Sequence, residues 1–153
     1  MPRFSRKETS IVQQEIELKD IMEVRVRFSE VDSLGIVWHG SFVKYLEDGR
    51  ESFGRRYGLG YFDVYEQGWM TPLTHLEIDY KLQVKYGEEI VIETTFLQCD
   101  AAKIIFRYTI YRKPDLAVVA TGSTTQVFVT KTGELELTNP PFYLEWKKKH
   151  GIG

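Results

Sequence analysis

Asp32, Gly35 and His39 fall within the eight residues Asp32-Ser33-Leu34-Gly35-Ile36-Val37-Trp38-His39, directly before a segment with helical periodicity. The stretch combines a carboxylate, a glycine that lets the backbone turn tightly and approach a ligand, an imidazole and a helix start. The amides of residues 37–40 should open that helix without partners, at the positive end of its dipole. A carbonyl oxygen acquiring negative charge is stabilised in such a place. Val37, Trp38, His39 and Gly40 are therefore candidate oxyanion donors, with Gly35 shaping the approach. Asp32 is the candidate base for water, or the candidate nucleophile. An ordinary aspartate, with a pKa of about 4, is a weak base that is always ionised at neutral pH. That strength suits an activated acyl group such as a thioester and is poor for an amide.

Each of these residues also has a plainer explanation. Asp32 to Gly35 fits an ordinary turn in which the aspartate accepts from nearby amides. His39 fits a helix cap or a partly buried ring, and Trp38 a core residue. Glu47 is most simply a surface residue of the helix, or one facing an interface.

The elements that must position the loop are legible from periodicity. Residues 21–28 alternate, with Val24, Val26 and Phe28 on one face and Arg25 and Arg27 on the other, as in a half-buried strand. Phe42, Leu46, Gly49, Phe53 and Tyr57 follow at spacings of four, three, four and four, one stripe of an α-helix that Gly58 can cap. Gly49 on the apolar stripe implies close packing against that face, while Gly54 has no comparable account. Residues 59–72 read as irregular and ring-rich. Residues 74–82, 88–98, 103–112 and 117–129 read as strands joined by short connections, which predicts an antiparallel meander. Asn139-Pro140-Pro141 introduces a terminal helix. One apolar stripe covers a five-stranded sheet only if the sheet curls around the helix, and free edge strands invite a second copy. The expected architecture is α+β: a polar arm over residues 1–19 and one domain over 20–153.

The 153 residues suffice for one compact domain, and 42% hydrophobic with 27% charged residues reads as a globular chain. A net charge of −2 supplies no basic field for nucleic acid. Lys147, Lys148 and Lys149 read as a solvated helix end. The single cysteine, Cys99, reads as a structural thiol and fits a reducing compartment. With no apolar run of signal or membrane-spanning length, a cytoplasmic location without membrane insertion is expected.

Val26-Arg27-Phe28, the segment 32–39, and Phe42, Tyr45, Leu46, Glu47 and Arg50 resemble the 4-hydroxybenzoyl-CoA thioesterase group of hotdog-fold acyl-CoA thioesterases. Ile78-Asp79-Tyr80 and Tyr86-Gly87-Glu88-Glu89-Ile90 match that group as well, so the resemblance covers residues 20–130. It implies a hotdog fold, with an antiparallel five-stranded sheet wrapped around a long central helix. It also implies homodimers or homotetramers with sites at the subunit interface. Asp32 matches the catalytic carboxylate of the group, and His39 the position whose backbone amide polarises the thioester carbonyl. No metal or redox cofactor is implied, and coenzyme A enters as part of the substrate. Phe28 stands where some relatives carry a tyrosine of the site, so Phe28 and Glu47 are secondary candidates. Glu30 stands for the usual aspartate and Val31 for a common threonine. Two other functions remain open: an acyl-CoA-binding module without turnover, and a hotdog hydratase or dehydratase of 3-hydroxyacyl thioesters using Asp32 with His39.

Overall fold

The computed structural model describes residues 17–153. Residues 1–16 of the expected arm lie outside the described residues. The elements in chain order are β1 (Lys19–Arg25), α1 (Ser41–Tyr57), α2 (Tyr61–Glu66), β2 (Trp69–Met70), β3 (Leu73–Tyr80), β4 (Glu89–Leu97), β5 (Lys103–Arg112), β6 (Ala117–Thr130), β7 (Leu135–Glu136) and α3 (Pro141–Lys149). Five antiparallel strands in the order β1-β4-β5-β6-β3 form the main sheet. The short β2 and β7 add to the C-terminal part of β6. This α+β arrangement, with the sheet packed around α1, is the hotdog fold.

Alternation buries one face of each central strand: Ile90, Ile92, Thr94 and Phe96 on β4, and Ile104, Phe106, Tyr108 and Ile110 on β5. Against that face lie Phe42, Leu46 and Phe53 of the helical stripe expected from the spacing, joined by Tyr45, with Tyr57 half-buried at its end. Gly49 explains how close the layers come. A Cβ there would lie 2.5 Å from Thr94 Oγ1 and 2.8 Å from Ile92 Cγ2, so β4 packs on the helix backbone itself. Gly54 has an account as well. A Cβ would lie 2.8 Å from Gly60 Cα, because the chain folds back onto the last turn of α1 after the left-handed cap at Gly58.

Four expectations need correction. The strands after α1 are not one meander, because β3 pairs with β6 while β4 lies two strands further on, beside β1 and β5. The connection 81–88 crosses the end of the sheet, buries Val84 and carries backbone that holds the loop after β1. Short connections therefore did not mean adjacent strands. Residues 59–72 are not wholly irregular, since Tyr61–Glu66 form α2, opened by Asp63 Oδ2 accepting from the Gly60 N–H at 2.8 Å. Phe28 does not continue the inward face of β1 and is 79% exposed. The strand ends at Arg25, and Phe28–Glu30 form a turn of 3-10 helix that breaks the alternation. Lys147 is not solvated. It is 4% exposed, its Nζ donates to the Cys99 carbonyl at 2.9 Å and lies over the Tyr143 ring, and burial lowers its pKa.

Candidate active site

The segment between the 3-10 turn and α1 is a small closed loop. Val31 bridges Val37, Ile36 bridges Lys85, and the Asp32 N–H donates to the Ile36 carbonyl at 2.9 Å. Gly35 turns the chain with φ of +75°, a conformation that disfavours side chains, and its carbonyl accepts from the Tyr86 N–H at 3.0 Å. Within the loop, Asp32 Oδ1 accepts from the Leu34 N–H at 2.8 Å, which is the ordinary turn contact. Asp32 Oδ2 takes no hydrogen bond from the described residues, and no described cationic side chain pairs with the carboxylate. One oxygen is thus fixed and the other is unengaged.

The helix start divides the candidate amides into two pairs. The Val37 N–H donates to the Val84 carbonyl at 2.8 Å, and the Trp38 N–H to the Glu30 carbonyl at 2.9 Å. Both are already used, so neither serves as an oxyanion donor in this arrangement. Among the described residues, the N–H groups of His39 and Gly40 have no acceptor. They precede the first residue of a helix of 17 residues that has no side-chain cap, where the dipole favours negative charge. The His39 ring is exposed, lies 4.9 Å from the Trp38 ring and forms no hydrogen bond or ion pair with Asp32. Trp38 is half exposed rather than core, and a Cβ at Gly40 would overlap its ring.

A buried carboxylate that sequence reasoning noted only as a departure holds this loop to the helix. Glu30 is 4% exposed. Its Oε1 accepts from the Arg27 N–H at 2.8 Å and from the Tyr45 hydroxyl at 3.1 Å, and the Arg27 guanidinium lies 3.6 Å from Oε2. Its carbonyl accepts from the Ser41 hydroxyl at 3.0 Å in addition to the Trp38 N–H. Burial, reinforced by the neighbouring Glu30 charge, pushes the Tyr45 phenol above the ordinary tyrosine range, so Tyr45 stays a donor at neutral pH. The three-residue spacing from Arg27 to Glu30 was the available signal, since a carboxylate so placed can close a turn onto a backbone N–H.

The secondary candidates lie apart from this centre. Phe28 stacks edge-on against Tyr86, with ring centroids 5.9 Å apart, beside the loop. Glu47 is exposed on α1, about 12 Å along the axis from His39 at 1.5 Å per residue. It lines a separate groove of about 600 Å³ with Arg50, Tyr61, Phe62 and Phe106. Asp32, Gly35, His39 and Gly40 thus lie on one closed loop, and Glu47 lies apart from it.

The model of the Thioesterase-like superfamily matches residues 26–146, and the chain belongs to that family of thioester hydrolases. Over 102 residues it is 32% identical to "Putative acyl-CoA thioesterase YneP" of Bacillus subtilis (strain 168), covering 66% of this chain and 74% of that protein. The DHNA-CoA thioesterase structure from Staphylococcus aureus superposes with a TM-score of 0.76 at 25% identity, covering 86% of this chain and 89% of that one. The 4-hydroxybenzoyl CoA thioesterase from Pseudomonas sp. strain CBS-3 shares the fold with a TM-score of 0.72 at 24% identity, covering 84% and 98%. Among the described residues, no helix is long and apolar enough to cross a membrane.

Proposed function

We propose that the protein hydrolyses acyl-CoA thioesters at the loop 31–40. The carrying observation is the pairing of a half-free Asp32 carboxylate with the unengaged His39 and Gly40 amides on one short closed loop. The thioester carbonyl oxygen faces those amides, which stabilise the negative charge it gains on attack. With Asp32 as general base, the carboxylate takes a proton from water and the hydroxide adds to the carbonyl carbon. The C–S bond then breaks, the coenzyme A thiolate takes up the proton, and the free acid leaves. With Asp32 as nucleophile, Oδ2 forms a mixed anhydride, expels the thiolate, and water cleaves the anhydride. Either route consumes one water; no metal or redox cofactor takes part, and coenzyme A is present only as part of the substrate.

The outer edge of β3, which pairs only with β6 among the described residues, supports a homodimer built on a continued sheet. A single cysteine supports a cytoplasmic setting. The Asp32–His39 pairing that a hydratase would use is not formed within the chain.

The test is thiol release from aliphatic and aromatic acyl-CoAs by the wild type and Asp32→Asn. Release from at least one substrate that falls at least about a hundredfold in the variant, with the fold intact, supports the reading. Tight acyl-CoA binding without release would instead make the protein a binding module. Undiminished release by Asp32→Asn would remove the carboxylate from the mechanism.

A further inference from the structure

Tyr80 ends the edge strand β3, and the chemistry just described does not use it. Its hydroxyl donates to the His39 carbonyl at 2.8 Å, across 41 residues of sequence. Its ring packs edge-on against Phe42, with centroids 5.3 Å apart, and its backbone is registered opposite Ala120 of β6. The His39 carbonyl and the Gly40 N–H belong to one planar peptide unit, so whatever holds the first directs the second.

That peptide needs holding. The Trp38 carbonyl accepts from the Ser41 N–H at 2.8 Å, whereas the His39 carbonyl receives only a long contact of 3.3 Å from the Phe42 N–H within its own segment. Gly40 follows it, has no side chain to restrict rotation and receives no cap from a neighbouring side chain. A donor on the carbonyl also polarises the peptide and strengthens its N–H.

We propose that Tyr80 is a positioning residue for the oxyanion site. Its hydroxyl holds the His39–Gly40 peptide so that the Gly40 amide, with that of His39, stays directed at the substrate carbonyl oxygen. This rests on the reading of the loop as a thioester-hydrolysing site. An internal control lies at the other end of α1, where the Tyr57 hydroxyl donates to the Lys19 carbonyl at 2.6 Å. The bond type is the same, a tyrosine hydroxyl on a backbone carbonyl, but here the tyrosine lies on the helix and its acceptor on β1, away from the loop.

The experiment compares wild type, Asp32→Asn, Tyr80→Phe and Tyr57→Phe, using benzoyl-CoA and decanoyl-CoA as probes and measuring kcat, KM and Tm. Phenylalanine keeps the Tyr80 ring on Phe42, so the variant should fold. Tyr80→Phe is expected to lower kcat about tenfold, less than outright removal of an oxyanion donor, with KM within about twofold. Tyr57→Phe should lower Tm and leave kcat as it was. The proposal is overturned if Tyr80→Phe keeps kcat within about twofold, if its loss appears in KM alone, or if Tyr57→Phe loses kcat equally. A wild type inactive on both probes, or an Asp32→Asn as fast as wild type, brings down the reading of the loop and this proposal with it.

Discussion

At its C-terminal end, α1 is closed by donors from the chain that follows it and from α3. The Gly58 and Leu59 N–H groups both return to the Gly54 carbonyl, and the Trp146 indole N–H donates to the Tyr57 carbonyl at 2.7 Å. Phe53, Phe96, Phe106, Tyr143 and Trp146 pack ring against ring around it. At the N-terminal end the same helix begins with no side-chain cap, two unengaged amides, and exposed Leu34, Trp38 and Val43 nearby. On the proposed reading, the contrast separates stability from function within one element. A polar group paired inside the protein adds stability but is no longer available to a ligand, so a site forms where pairing stops short.

The largest effect expected from perturbing this contrast is at the open end, where Asp32→Asn removes the carboxylate and thiol release falls at least about a hundredfold with little change in Tm. At the closed end the opposite pattern is expected. Gly54→Val places a side chain against Gly60 Cα and the Leu59 carbonyl, which costs about 1–3 kcal/mol of stability by overpacking. Urea unfolding would show it, while kcat below the transition stays at the wild-type level. Trp146→Phe keeps most of the ring but leaves the Tyr57 carbonyl without its donor, a loss of about 1–2 kcal/mol by the same measurement. A loss of kcat in either closed-end variant, with the protein folded, would break the separation.

The smallest expected effect is alkaline. Burial raises the pKa of Tyr45, Tyr108 and Tyr143 above the ordinary 10.0, with the Glu30 charge adding to the shift at Tyr45. The folded state therefore holds these protons more tightly than the unfolded chain. The stability linked to them is complete below pH 10 and is lost as the pH rises above that value. Urea midpoints measured across pH 9 to 11.5 should fall at the upper end, and Tyr143→Phe should flatten part of that fall (about these pH limits bracket the ordinary phenol range).

Much of this was legible in the sequence where the determining interactions are short in range. The stripe from Phe42 to Tyr57, the cap at Gly58, the alternation of β4 and β5 and the close approach at Gly49 follow from periods of a few residues. So does the turn at Asp32 to Gly35. Phe28 was misplaced because alternation continues on paper through a residue where the backbone has already turned. The placement of β3 was missed because a connection of eight residues can cross the sheet end as easily as it can form a hairpin.

By itself the sequence determined that a carboxylate, a flexible glycine and a helix start would meet, because all three lie within one loop and its neighbour. Only the tertiary structure decided which amides remain free. Val84 and Tyr80 reach the helix start from elsewhere in the chain and Glu30 from the neck of the same loop; they consume the N–H groups of Val37 and Trp38 and brace the carbonyl of His39. A hydrogen bond holds or consumes a group wherever its partner comes from in the chain, and Val84 and Tyr80 become neighbours of the helix start only when the sheet closes around α1.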